Sequence, residues 1–333
     1  MDAAVALERV TKTFGSHVAV HELSLAVPRG SIYGFIGPNG SGKTTTLRML
    51  LHILLPDAGS IEVLGDGGTR AANDRIGYLP EERGLYKKMK VLDLLTYYGS
   101  LKGMPRRAAR AAGAEWLQRM DLSVWGGRKV ETLSKGMAQK VQFISTVLHA
   151  PDLLILDEPF SGLDPVNLQV LRNAILELNR RGTTVLFSTH DMEMAERMCD
   201  FICMIFKGEK VLDGTLDSIQ ARYGTDSVRL RADGARELLE GHPSVEAVID
   251  MGNYQELRLA HGVHGAGAAQ ALLQFLAERT RVQLFEISRP SLHDIFVRIA
   301  GPEAAAAAAA TARGGAPAAA GAGDAPREAS HVR

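Results

Sequence analysis

The stretch SIYGFIGPNGSGKTTTLRMLLHIL, from Ser31 to Leu54, decides the fold. Its centre fits the P-loop pattern G-x-x-x-x-G-K-[ST], with Gly37, Gly42, Lys43 and Thr44 at the required spacings. Pro38, Asn39, Gly40 and Ser41 form the intervening loop, and Thr45 follows. A nucleotide triphosphate concentrates negative charge, and this spacing builds a cradle for it. Glycines let the backbone curl until successive N–H groups point inward, and the following helix adds its positive N-terminal end. Lys43 is expected to reach the β- and γ-phosphates, and the Thr44 hydroxyl suits one position on Mg2+. The flanks agree. SIYGFIG reads as a buried strand entering the loop, and TTTLRMLLHIL, Thr44 to Leu54, as an apolar helix leaving it. The loop alone says only that phosphate is bound.

At 333 residues the chain has room for one large or two ordinary domains. Its 46% apolar and 23% charged residues are ordinary for a globular protein. Lysine plus arginine equals aspartate plus glutamate at 38 each, so no bulk field favours nucleic acid, and no nucleic-acid partner is expected. No run of about 18 or more apolar residues occurs, so no membrane span is expected. MDAAVALERV lacks the basic start and apolar stretch of a secretory signal, which leads to an expectation of cytoplasmic residence. Cys199 and Cys203 read as buried thiols used as small apolar groups, not as a disulfide or a metal site.

The first 220 or so residues alternate strand and helix patterns, which points to an α/β fold. Short β-like runs occur at VALERV, LSLAV, SIYGFIG, SIEVL and IGYLP. From about Val91 to Ala150 the pattern turns helical. DLLILDEP, Asp152 to Pro159, is an apolar run ending in acids, the mark of a central strand whose C-terminal end faces a ligand. A helix (Val166 to Arg180), the buried strand TTVLFSTH and two short strands, FICMIFKG and EKVLDG, follow. Between Thr225 and Ala300, SVRLRA and VEAVID precede a helical AAQALLQFLAE, then RVQLFEIS and a final helix in SLHDIFVRIA. This reads as a small α+β appendage whose chemistry is silent; His261, His264 and His293 read as surface or packing residues. From Gly301 to Arg333 the alanine, glycine and proline composition predicts a disordered tail. The expected division is 1–224 (helical subdomain about 90–150), 225–300 and 301–333.

Phosphoryl transfer needs a second acidic motif beside the P-loop. Asp157 is placed to hold Mg2+, directly or through water, and Glu158 to orient or deprotonate the attacking water. With these residues in place, the chain resembles the nucleotide-binding subunit of an ATP-binding cassette (ABC) transporter over about Val5 to Gly214. The resemblance implies an ABC nucleotide-binding domain that binds ATP and Mg2+ and hydrolyses ATP as a dimer. It implies that Phe14, in KTFGSH, stacks on adenine. The family signature LSGGQ appears as LSKGM, Leu133 to Met137, with Ser134 and Gly136 retained, Lys135 in place of a glycine and Met137 in place of the glutamine. Ser134, Gly136 and the helix that starts there are then expected to bind the γ-phosphate of a nucleotide held by a second copy. SGLD, Ser161 to Asp164, fits the loop that crosses the dimer interface, and His190, in FSTHD, fits the switch histidine on the γ-phosphate. Glu81, in IGYLPEERGLY, stands where the family has a glutamine that links Mg2+ to the membrane partner. A carboxylate there can coordinate the ion but cannot donate an amide hydrogen bond, and Arg83 is a candidate to balance its charge.

Three readings follow from the resemblance. The first is the ATPase subunit of a membrane transporter, joined to a second copy or close paralogue and to a separate integral membrane permease, and so peripheral on the inner face of the membrane. LSKGM, LPEERGLY and the appendage ending SLHDIFVRI resemble the bacterial ABC-2 type exporters of sodium and of drugs. The second is a soluble ABC ATPase acting on ribosomes or DNA. A single P-loop, about ninety residues without sustained heptads between Lys43 and Ser134, and the neutral charge count against it. The third is a degenerate, regulatory cassette; the retention of Lys43, Asp157, Glu158 and His190 speaks against that.

Overall fold

The computed structural model describes residues 2–65, 74–82, 84–223, 227–260 and 266–301. Arg83, His261, His264 and residues 302–333 of the tail expected over 301–333 lie outside the described residues, while Gly301 ends a helix.

IYGFI is apolar without alternation, which suits a strand covered on both faces. It forms β3 (Ile32–Ile36), buried throughout, near the middle of a six-stranded sheet. Its companions are β5 (Ile76–Leu79), β6 (Leu153–Asp157), β7 (Thr184–Thr189), β8 (Phe201–Phe206) and β9 (Glu209–Gly214), in the order β5-β6-β7-β3-β8-β9. All pairs are parallel except β8 with β9. The register sets Ile36 beside Thr189 and Asp157 beside Ser188. Gly37, Glu158 and His190 therefore leave neighbouring strands at the same carboxyl edge, where ligands of such sheets bind.

An antiparallel sheet of β1 (Ala3–Phe14), β2 (His17–Pro28) and β4 (Ala58–Val63), ordered β2-β1-β4, packs with the first sheet around α1 (Lys43–Leu50). The helix is shorter than the expected 44–54. His52 takes a left-handed φ of +53°, and the N–H groups of Ile53 and Leu54 both turn back to Arg48 O, at 2.9 and 3.2 Å. The apolar pattern runs on because Leu51 and Leu54 still pack on the core after the helix has ended.

Three helices, α2 (Val91–Leu101), α3 (Arg106–Arg119) and α4 (Lys135–Val147), join α5 (Pro165–Arg180) in a second core under β5, β6 and β7. Trp116 and Phe143 meet there edge to face at 6.1 Å. Beyond β7 come α6 (Met192–Met198) and, after β9, α7 (Leu216–Tyr223).

The last part holds β10 (Ser227–Ala232), α8 (Ala235–Leu239), β11 (Val245–Asp250), β12 (Gln255–Leu259), α9 (Ala266–Ala277) and β13 (Val282–Ser288). The strands form an antiparallel sheet, β11-β12-β10-β13. Val228, Leu230, Leu257 and Leu259 turn inward onto Leu239, Leu272 and Leu276, while Arg229, Arg231 and Arg258 alternate to the exposed side. A final helix over residues 292–301 packs elsewhere: Leu292, Ile295 and Phe296 are fully buried against Ile36, Ala195 and Met204. Each such side chain removed from water contributes about 1.5–3 kcal/mol. His293 is exposed.

Among the described residues no helix is long and apolar enough to cross a membrane. Cys203 is buried and Cys199 half-buried; burial pushes both thiols well above their ordinary range, in line with an apolar packing role.

Candidate functional site

The P-loop backbone requires its glycines for two separate reasons. Gly42 has φ +104°, and a Cβ there would stand 2.4 Å from Ala19 O. Gly37 has an ordinary φ, but a Cβ would stand 2.2 Å from Ile205 O and 2.7 Å from Ser41 Oγ. The loop is thus pressed against the β8 end on one side and β2 on the other. Gly208 N donates to Ser41 O at 3.1 Å, which fixes it further.

Lys43, 6% exposed, folds its ammonium into the loop and donates to Gly37 O at 2.6 Å and Pro38 O at 3.1 Å. Burial pushes its pKa down, while Glu158 and Asp157 pull it back up. Phe14, Asn39, Gly40, Gly42, Lys43, Thr44, Thr45, Glu81 and Glu158 share one cleft of about 340 Å³ with His17 and Ala19. Phe14 is 47% exposed at its mouth, and the Lys12 ammonium lies 5.6 Å from the ring centre. An exposed ring at the mouth of a phosphate cradle is shaped to take a flat base.

Asp157 is 1% exposed. Its Oδ1 accepts from Ser188 Oγ at 2.5 Å and from Thr44 Oγ1 at 3.3 Å. Its Oδ2 has no hydrogen-bond partner among the described residues. A buried carboxylate oxygen left bare in this way is costly unless a ligand satisfies it. For Mg2+ the donor set fits: a carboxylate and a hydroxyl converge, and this ion takes few protein ligands beside water and phosphate oxygens. Among the described residues no group of three or more His, Cys, Asp or Glu side chains is arranged to hold a metal by itself.

Glu158 is 8% exposed, with its backbone at φ +49°, a left-handed conformation that strains a non-glycine residue. Its N–H is tied to Ser188 O at 3.2 Å and Ser188 Oγ at 3.1 Å. Its carboxylate stands between the Lys43 ammonium and the His190 ring. Lys43 Nζ is 3.7 Å from Oε1, and His190 Nδ1 is 2.9 Å from Oε2, off the line of an ideal N–H···O bond. The Glu158 carboxylate beside it raises the His190 pKa above its ordinary value, against the effect of burial. Glu81 stands at the edge of the same cluster. Burial, then the charges of Asp157 and Glu158, push its pKa up.

Ser134 and Gly136 do not line the P-loop cleft. Ser134 caps α4, its Oγ accepting from Met137 N at 3.3 Å. Gly136 lies against Asn167 Nδ2, 2.9 Å from where a Cβ would stand. Lys135 covers Gly162, its Nζ 2.7 Å from the corresponding Cβ position. Met137 packs on the helical core, so this side chain serves the interior of its own chain.

Sequence reasoning missed two supporting residues. Ser188 holds both Asp157 and Glu158, and Gln139 Nε2 donates at 2.5 Å to Pro159 O, directly after Glu158. Ser188 lies within the quoted FSTHD, but its role depends on β6 pairing with β7. Gln139 lies one turn beyond Ser134, and its contact depends on how α4 packs.

The sequence matches the family described as ABC transporter over residues 20–161, and the family described as ATP-binding protein DrrA1-3-like, C-terminal domain, over residues 214–300. It is 42% identical to the uncharacterized ABC transporter ATP-binding protein YhaQ of Bacillus subtilis (strain 168), covering 89% of this chain and 98% of the relative. It is 31% identical to the linearmycin resistance ATP-binding protein LnrL of the same organism, over 88% and 97%. It is 34% identical to the Nod factor export ATP-binding protein I of Paraburkholderia xenovorans (strain LB400), over 91% and 98%. A solved structure of the ATP binding subunit of an ABC transporter superposes with a TM-score of 0.62 at 28% identity, covering 66% of this chain and 93% of that one. With a P-loop, a buried acidic pair and a histidine gathered at one sheet edge, and with relatives matched over almost their whole length, the chain belongs to the ATP-binding subunits of ABC transporters and is an ATPase.

Proposed function

We propose that this chain drives a membrane exporter, working as a pair with a second copy or close paralogue on a separate permease at the inner face of the membrane. The observation that carries the reading is the division of the site. Lys43, Thr44, Asp157, Glu158 and His190 gather around one P-loop, while Ser134 and Gly136 of the same chain lie outside that cleft. Two copies arranged head to tail bring the Ser134 end of one α4 onto the nucleotide of the other.

In that arrangement Phe14 stacks on adenine, and the N–H groups from Asn39 to Thr45 hold the phosphates. Ser134 and the first-turn N–H groups of α4 take the γ-phosphate from the opposite side, with Lys135 adding positive charge. Glu158 orients the attacking water and accepts its proton. His190 holds the γ-phosphate and helps to place that water, and Lys43 neutralises charge that grows on the phosphate oxygens. Mg2+, held by Thr44, by Asp157 and, directly or through water, by Glu81, would supply the Lewis acid that polarises the phosphate oxygens.

A cleft of about 500 Å³ lined by Ile53, Tyr78, Tyr98, Leu101, Gln142 and His149 adjoins the Glu81 loop. Gln142 Nε2 donates to Glu82 O at 3.2 Å, linking the two places. This groove receives a cytoplasmic helix of the permease, so closure of the pair is felt in the membrane. Export, not import, is favoured by relatives named for resistance and for export.

The test mixes two inactive variants, Lys43→Ala and Ser134→Arg. One of the two sites of their heterodimer combines an intact P-loop with an intact signature, so mixing is expected to restore ATP hydrolysis that neither shows alone. A mixture as inactive as its components would reject the composite site. Solubilised membranes should yield the chain bound to a protein with about six spans; failure to bind any membrane protein would reject transport.

A further inference from the structure

Helix 292–301, the last among the described residues, takes no part in the core of the sheet that precedes it. Val228, Leu230, Leu257, Leu259, Leu272 and Leu276 close that core without a residue from 292–301. Leu292, Ile295 and Phe296 instead join Ile36, Ala195 and Ile202 of the nucleotide-binding part. Phe296 meets Phe206 edge to face at 5.5 Å. The start of the helix is sharply defined. Ser291 and Asp294 cap each other, Asp294 N donating to Ser291 Oγ at 3.1 Å and Ser291 N to Asp294 Oδ2 at 3.0 Å. The Leu292 N–H, one of the donors that a helix leaves unpaired, donates at 2.5 Å to Glu196 Oε1.

Glu196 belongs to α6, the helix that begins two residues after His190. Seven residues are too few to hold helical shape unaided, so α6 depends on what encloses it. On one side lies the P-loop strand: Cys199 Sγ is 2.5 Å from where a Cβ on Gly34 would stand, with Ala195 beside it. On the other lies helix 292–301. At its start Asp191 caps the helix through Met194 N at 3.0 Å. Ile36, which shares that core with helix 292–301, immediately precedes Gly37.

We infer that helix 292–301 is a brace for His190. By gripping α6 through Glu196, it fixes the point from which the ring meets Glu158 and the γ-phosphate. Glu196 is a positioning residue and touches neither substrate nor the reacting atoms. The inference gives the C-terminal part of the chain a task at the ATP site, reached by one helix and not by its sheet. It rests on the role proposed above for His190.

The test compares Glu196→Ala, Glu196→Gln, His190→Ala and the double variant Glu196→Ala/His190→Ala in the full chain. Losing one hydrogen bond to a charged acceptor should lower kcat for Glu196→Ala roughly fivefold to tenfold, with KM and the nucleotide Kd unchanged. Glu196→Gln, whose amide oxygen accepts the same N–H, should keep wild-type kcat. The double variant should be no slower than His190→Ala, because the brace acts only through that ring. If Glu196→Ala melts early, Glu196→Leu, similar in volume, should show the same kcat loss. Wild-type kcat in Glu196→Ala, or a double variant slower by the product of both losses, overturns the brace. Wild-type kcat in His190→Ala refutes the role of His190 itself, a separate result, and removes the brace with it.

Discussion

Ser188→Ala isolates the support of the acidic pair from the pair itself. Ser188 Oγ donates to Asp157 Oδ1 at 2.5 Å and accepts from Glu158 N at 3.1 Å. The second contact has a substitute, since Glu158 N also reaches Ser188 O, a backbone group that the substitution keeps. The first has no equal: Thr44 Oγ1, at 3.3 Å, is the longer of the two donors to Asp157. A hydrogen bond to a charged group contributes about 1.5–3 kcal/mol. For a domain of this size that corresponds to a fall of about 3–12 °C in Tm. The functional effect should exceed what Tm implies, because Oδ1 anchored by two hydroxyls leaves Oδ2 free for a ligand. Loosening the carboxylate should raise the Mg2+ concentration that half-activates ATP hydrolysis by about 10-fold to 100-fold, as outer supports of metal ligands generally do. The assay is steady-state hydrolysis titrated with Mg2+ at saturating ATP, beside a thermal melt. An unchanged activation constant together with an unchanged Tm would refute the reasoning from Oδ1.

Glu158→Gln should bind ATP as tightly as the wild type and lose turnover by about 100-fold or more, giving a stable ATP-bound pair on size exclusion; hydrolysis at the wild-type rate would remove Glu158 as the base. Phe14→Ala should weaken ATP binding by about 0.5–1.5 kcal/mol, the worth of an aromatic stack, with little change in kcat, measured with a fluorescent nucleotide. His149 supplies a pH prediction. Burial first, then Lys102, depress its pKa to about 4 from the ordinary 6.5. The unfolded chain therefore binds a proton that the folded chain refuses, and stability is lost as pH falls from 6.5 toward 4. Allowing for partial exposure, unfolding free energies from denaturant titrations at pH 7.5 and pH 5 should differ by about 1–2 kcal/mol more in the wild type than in His149→Leu. Equal differences would show that His149 does not contribute.

Local chemistry explains which parts of this molecule could be read from its residues. The P-loop is a continuous segment, so its glycines, Lys43 and Thr44 carry their meaning in spacing alone. Asp157 and His190 announce themselves at the ends of apolar strands, where a polar residue needs a reason. Ser188 does not: it sits in a strand like any other, and only the parallel register that places it beside Asp157 makes it a support. Apolar pattern also overran the end of α1, because residues after the helix continue to pack while the backbone has already turned at His52. Helix α6 was not anticipated, since seven residues give too few turns for periodicity to register. SLHDIFVRIA was legible as a helix with one apolar face, yet a face does not name what it packs on.

The departures from the ABC pattern share a location. Phe14, the P-loop and Glu158 meet at one cleft within one chain, with Asp157 beside Thr44, and there the pattern is intact. Lys135 and Met137 lie outside the P-loop cleft, and Glu81 sits at its edge, beside the groove proposed for the permease. The two signature changes have local explanations. Met137 packs half-buried against the helical core, and Lys135 lies over Gly162. Lys135 over Gly162 and Gln139 on Pro159 O set α4 against the segment that follows Glu158. The departures thus fall on α4 and at Glu81, while the P-loop glycines, Lys43, Thr44, Asp157 and Glu158 keep the ABC pattern.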